Sequence, residues 1–132
     1  MDEQALDFVR RNRTAAMVTV RPNGTAHVAR CTIAVVDGKI WGYGTETRVR
    51  TKHLRVNPNA TLFVFDAATR GWRGIEGEVT IREGPELPQE LLAFQRALGR
   101  EPENVDEFLR SMAAEQRIIY ELAVIHRVYG QD

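Results

Sequence analysis

The sequence predicts a mainly β, α+β domain: six antiparallel strands closing a barrel, with short helices packed outside it. Three observations carry this. Six segments alternate or concentrate apolar and β-branched residues over strand length. Two dipeptides, Asn23-Gly24 and Asp37-Gly38, sit between consecutive strand-like runs as hairpin turns do. The helical segments do not alternate one-for-one with strands, which disfavours a doubly wound parallel sheet. With 132 residues the chain is expected to be a single domain, 1–132.

In order, "DEQALDFVRRNR" runs from acidic to basic, matching the helix dipole, with Leu6 and Val9 on one face. "TAAMVTV" is a first strand, closed by the turn "RPNG". "AHVARCTIAVV" and "KIWGYG" are the second and third, joined at Asp37-Gly38. Residues 48–56 read as a short helix, and "ATLFVFD" as the fourth strand. "WRGIEGEVTIRE" is the fifth, with Gly74 and Gly77 marking a bend or bulge. "ELPQELLAFQRAL" and "NVDEFLRSMAAEQ" are amphipathic helices, and "RIIYELAVIHRVYG" is the closing strand.

Eighteen basic residues balance eighteen acidic ones, so no whole-chain field recruits nucleic acid or an anionic membrane. No apolar run reaches the roughly 20 residues of a membrane span. The acidic N-terminus does not read as a signal peptide, and a cytoplasmic protein is expected. Cys31 is the only cysteine, which excludes an internal disulfide and a cysteine-cluster metal site. His27, His53 and His126 lack ligand spacing, so no metal is expected. Ser111 is the only serine, and no catalytic acid, base or nucleophile stands out. Glu76 and Glu78 share one face of a strand, which reads as an exposed barrel edge or a carboxylate pair.

The conspicuous stretch is "GTETRVRTKHLRVNP", residues 44–58, with Arg48, Arg50, Lys52 and Arg55 inside eight positions. At about 100° per residue Arg48, Lys52 and Arg55 form one stripe, while Arg50 leans towards the apolar face. A guanidinium there needs a partner. Glu46 is one candidate and an anion such as phosphate is the other. Thr45 or Thr47 is placed to cap the helix, and "GYGTET" lets a backbone approach closely without being a Walker loop.

The strings "VTVRPNGTAHVAR", "DGKIWGYGTETRVRTKHLRVNPNATLFV", "IEGEVTI" and "MAAEQRIIYELAVIHRVYG" resemble the pyridoxamine 5′-phosphate oxidase-like split β-barrel proteins. The branch they are most similar to is the one that uses the deazaflavin coenzyme F420. The resemblance implies an oxidoreductase that passes a hydride to a small unsaturated acceptor, with FMN as the alternative cofactor. A non-catalytic flavin or deazaflavin binder is a further alternative. It implies a homodimer with cofactor sites at the interface and no nucleic-acid or membrane partner. It assigns the cofactor phosphate to Arg50, helped by Arg48, Thr51 and Lys52. Val18 and Thr19, with Ala29, Arg30, Cys31 and Thr32, would line the ring system, and Trp72 would stand near the partner chain. On this reading, loss of Arg50 weakens cofactor binding and leaves the melting of the cofactor-free chain nearly unchanged. The ending "HRVYGQD" departs from true pyridoxamine phosphate oxidases, so pyridoxamine phosphate is not the expected substrate.

Overall fold

The structure, a computed structural model, describes residues 2–132. Strands β1 (Thr14–Val20), β2 (Ala26–Val36), β3 (Lys39–Thr45), β4 (Asn59–Phe65), β5 (Trp72–Arg82) and β6 (Arg117–Gln131) form a closed barrel in the order β1-β2-β3-β6-β5-β4. Every neighbouring pair is antiparallel. Four helices complete the chain: α1 (Glu3–Arg11), α2 (Val49–Val56), α3 (Leu87–Ala97) and α4 (Val105–Ala114). The expected barrel and its helices are therefore present, with element ends moved by a residue or two.

Strand alternation builds two cores. Ala15 and Met17 of β1, Cys31 and Ile33 of β2, Leu62 and Val64 of β4, and Ile118, Tyr120 and Leu122 of β6 fill the interior. That interior is tightly packed: the void among Met17, Cys31, Leu62 and Tyr120 is only about 10 Å³, too small for any ligand. On the outer face of β2, β3 and β6, Ala34, Trp41 and Ile119 pack under Leu91, Phe94 and Leu98 of the α3 segment. Helix α1 buries Leu6, Phe8 and Val9 at the end where β1 begins, and α2 covers the opposite end with Leu54 and His53.

The turns follow their residues. Asp37 and Gly38 both take positive φ, 49° and 73°, the pairing a tight β2–β3 hairpin requires. The register of β5 against β6 shifts at Gly77, where a Cβ would sit 2.0 Å from the Val124 carbonyl oxygen. Gly74 is not at that bulge; its missing side chain makes room for the Tyr129 ring. Glu76 and Glu78 do share the outer face, but in a closed barrel they sit at no edge: β5 is paired on both sides there, and they form a polar surface cluster with Arg127, Tyr129 and His126.

Candidate functional site

The site is built around the start of α2. Arg48 is the N-cap residue and makes no side-chain cap bond; Thr45 and Thr47 bond to each other through their hydroxyls at 3.2 Å. The expected threonine cap is therefore absent, because the N-cap position falls on Arg48 and not on Thr45, which ends β3, or Thr47. Arg50 does turn inward and is only 5% exposed. Its Nη1 donates to the Arg30 carbonyl at 2.7 Å and its Nη2 to the Tyr43 carbonyl at 3.0 Å. Its Nε donates to the Tyr120 hydroxyl at 3.4 Å, with the guanidinium carbon 5.4 Å from that ring's centroid.

Glu46 does not partner Arg50. It pairs with Arg55 at 2.7 Å, and Arg55 also pairs with Glu83 at 2.9 Å, holding the Glu83 carboxyl below its ordinary range. Among the described residues, no carboxylate lies within ion-pair distance of Arg50. The guanidinium has five N–H donors and three serve these bonds, so the charge is seated on neutral oxygens with donors to spare. Tyr120 fixes the seat. Its ring occupies the space a Cβ would need at Gly44, and its hydroxyl bonds to Thr51. Since Thr51 donates to the Thr45 carbonyl, the tyrosine hydroxyl donates to Thr51 and its oxygen accepts from Arg50. What "GYG" admits closely is thus the β6 tyrosine and, at Gly42, the Cys31 thiol.

Arg50 forms part of an open cleft of about 500 Å³ outside the barrel, lined also by Arg30, Thr32, Tyr43 and Arg48. The far wall comes from elements distant in sequence: Gln95, Arg100, Phe108, Met112, Glu115 and Arg117. Of its five arginines only Arg117 has a carboxylate partner among the described residues, Glu115 at 2.8 Å. Burial pushes the Tyr43 hydroxyl up to about 12, and it donates to Gln95 at 2.7 Å. Among the described residues no cluster of three or more His, Cys, Asp or Glu is placed to hold a metal ion.

The structure brings Arg30, Thr32, Arg48 and Arg50 to one cleft. It sends the other expected residues elsewhere. Thr51 is fully buried on the inner side of α2, a scaffold for Tyr120 rather than a free donor. Lys52 is exposed and does not line the cleft. Cys31 is inside the barrel, with its thiol pushed up to about 11 by burial. Thr19 is also interior and bonds His53 Nδ1 at 3.0 Å. Val18 lies on the outer face with Thr61, Glu76 and His126. Ala29 borders a second, apolar depression with Ala16, Val28, Phe63 and Phe65, and Arg30 lines both this depression and the cleft. Trp72 lies tilted against Phe63, 5.9 Å between centroids, and meets Tyr129 edge-on at 6.1 Å.

Two further features escaped the sequence. His27 and His53 meet edge-on, centroids 5.2 Å apart, and His27 Nδ1 is buried without a hydrogen-bond partner among the described residues. The arginine cleft itself needs α3, α4 and β6, which local motifs cannot place beside residues 30–50.

The chain resembles several solved proteins. A conserved hypothetical protein from Mycobacterium tuberculosis superposes with a TM-score of 0.79 at 24% identity, over 100% of this chain and 84% of that one. An F420 reductase gives 0.69 at 18% identity, covering 93% and 94%. A heme binding protein from Mycobacterium smegmatis gives 0.72 at 15% identity, over 97% of this chain and 52% of that one. At these identities the likeness is one of fold. No curated protein matches. The family model described as pyridoxamine 5′-phosphate oxidase matches residues 1–124. This chain, by that match and by its closed six-stranded barrel, belongs to the pyridoxamine 5′-phosphate oxidase family.

Proposed function

We propose that this protein is an oxidoreductase that uses coenzyme F420 to reduce a small unsaturated acceptor. The observation that carries the reading is Arg50: a buried guanidinium with no carboxylate, opening on a cleft where three further arginines also lack one. Burying a charge without a counter-charge is costly, and an organic phosphate in the cleft offsets that cost. Arg48 and Arg50 would hold the phosphate, with charge-assisted bonds at bidentate geometry. Arg30 and Arg100, which also lack a carboxylate among the described residues, supply more positive charge than one phosphate monoester needs, which suits the acidic tail of the deazaflavin better than FMN. Since Arg30 also borders the apolar depression, the ring system is expected to lie against Ala16, Ala29 and Val28.

When bound, the coenzyme supplies the hydride, from its ring C5. The protein binds, orients and excludes water; the cleft offers no free carboxylic acid, so solvent is the expected proton source. We propose further that the protein is a homodimer. Val28, Phe63 and Phe65 are 60%, 42% and 57% exposed on one outer sheet face, beside Trp72 and Tyr129. Contiguous apolar surface of this kind marks an interface, and it adjoins the proposed ring site. A panel of F420, FMN and FAD by fluorescence quenching tests the cofactor, followed by oxidation of the reduced coenzyme by candidate acceptors. Tight FMN binding without F420 binding overturns the assignment.

A further inference from the structure

Helix α4 is well formed but poorly buried. Asn104 caps it, its side chain accepting from Glu107 N at 2.9 Å, with Asp106 and Glu107 in the first turn. Val105, Phe108, Leu109 and Met112 recur at the spacing of a core-facing stripe. Yet no residue of α4 is buried, whereas neighbouring α3 buries Leu91, Leu92 and Phe94. Met112 touches the edge of the outer core; Phe108 belongs to neither core, and among the described residues it stacks on no aromatic ring. What Phe108 and Met112 share is the arginine cleft, which both line.

We infer that α4 is the apolar roof of that cleft, with Phe108 and Met112 packing on the carbon skeleton next to the anionic group of the ligand. This rests on the reading of the cleft as an anion site. It narrows the ligand class to an organophosphate with a ring-bearing or apolar portion, since inorganic phosphate offers the roof nothing to cover. A roof that closes on the ligand also removes water from around the arginines, which strengthens their attraction for the anion. A helix whose apolar stripe is only half-buried costs less to move than one packed into the core.

The test compares F420 and FMN with inorganic pyrophosphate by titration calorimetry. Phe108→Ala is expected to weaken the organic phosphate about fivefold to twentyfold, the equivalent of losing roughly 40–70 Å² of apolar contact. Pyrophosphate should change by less than about twofold on the same scale. Arg48→Ala should weaken both classes. Amide exchange in the unmodified protein needs no variant: residues 105–114 should slow with the organic phosphate and not with pyrophosphate. Equal losses for both ligands in Phe108→Ala, or no change in α4 exchange on binding, overturns the roof. Failure of pyrophosphate and both coenzymes to bind the unmodified protein overturns the anion site itself, and the roof with it.

Discussion

Replacing Arg50 with methionine keeps most of the side-chain volume and removes the charge together with its donors to the carbonyls of Arg30 and Tyr43. Two part-buried carbonyls then lose a charged donor, up to roughly 1.5–3 kcal/mol each. Relief of an uncompensated buried charge offsets part of that, and the net loss is expected at about 1–3 kcal/mol. A 132-residue domain unfolds with an entropy of about 2.1 cal/mol/K per residue, or near 0.28 kcal/mol/K in all. The cofactor-free Arg50→Met variant should therefore melt about 4–11 °C lower. Pyrophosphate at about 100 times its Kd stabilises the unmodified protein by about 2.7 kcal/mol, near 10 °C. With affinity reduced about thirtyfold, the same concentration raises the variant by only about 3 °C. Differential scanning fluorimetry, with and without pyrophosphate, reads both numbers. A lower melting point with the full ligand shift would make Arg50 a latch between β2 and β3 and nothing more. An unchanged melting point with the ligand shift lost would make it a pure anion ligand. Either result refutes the double role. Sequence reasoning alone assigns the whole effect to the cofactor; the two carbonyls are what move part of it to the empty protein.

Further outcomes are expected. Phe65→Glu should convert a dimer to a monomer in light scattering after gel filtration, and a dimer that survives it removes the apolar sheet face as the interface. Cys31, with its thiol pushed up to about 11 and its side chain inside the barrel, should resist Ellman's reagent at pH 8 for hours and react fully in guanidinium; prompt reaction of the folded protein contradicts its placement. His27 has its pKa lowered below 6.5 by burial, then by His53, Arg21 and Arg50. Its contribution to stability is complete above 6.5 and is lost as pH falls through the lower folded value. Against His27→Gln, the natural protein should thus lose more of its melting temperature between pH 7.5 and pH 5, and parallel pH profiles would show that His27 is not strained.

Much of the architecture was legible because it is encoded locally. Strand alternation, the Asp37-Gly38 turn and the amphipathic helices depend on residues within a few positions of one another, and the barrel follows from their order. The inward lean of Arg50 was legible too, since a helix of known phase sends neighbouring residues to defined directions. What occupies those directions was not. Arg50 meets carbonyls of β2 and β3 and the Tyr120 hydroxyl seventy residues on, while Glu46, its nearest acid in sequence, is drawn off by Arg55. Cys31 lies between the cleft residues Arg30 and Thr32 and still faces the interior, because strand alternation puts adjacent side chains on opposite faces; Thr19 and Thr51 are fully buried as well. The second wall of the cleft, from Gln95 to Arg117, exists only where α3, α4 and β6 return beside α2. The sequence by itself determined which residues bend, pair and turn inward; tertiary structure alone decided which charges stand together without counter-charges, because that depends on the whole path of the chain.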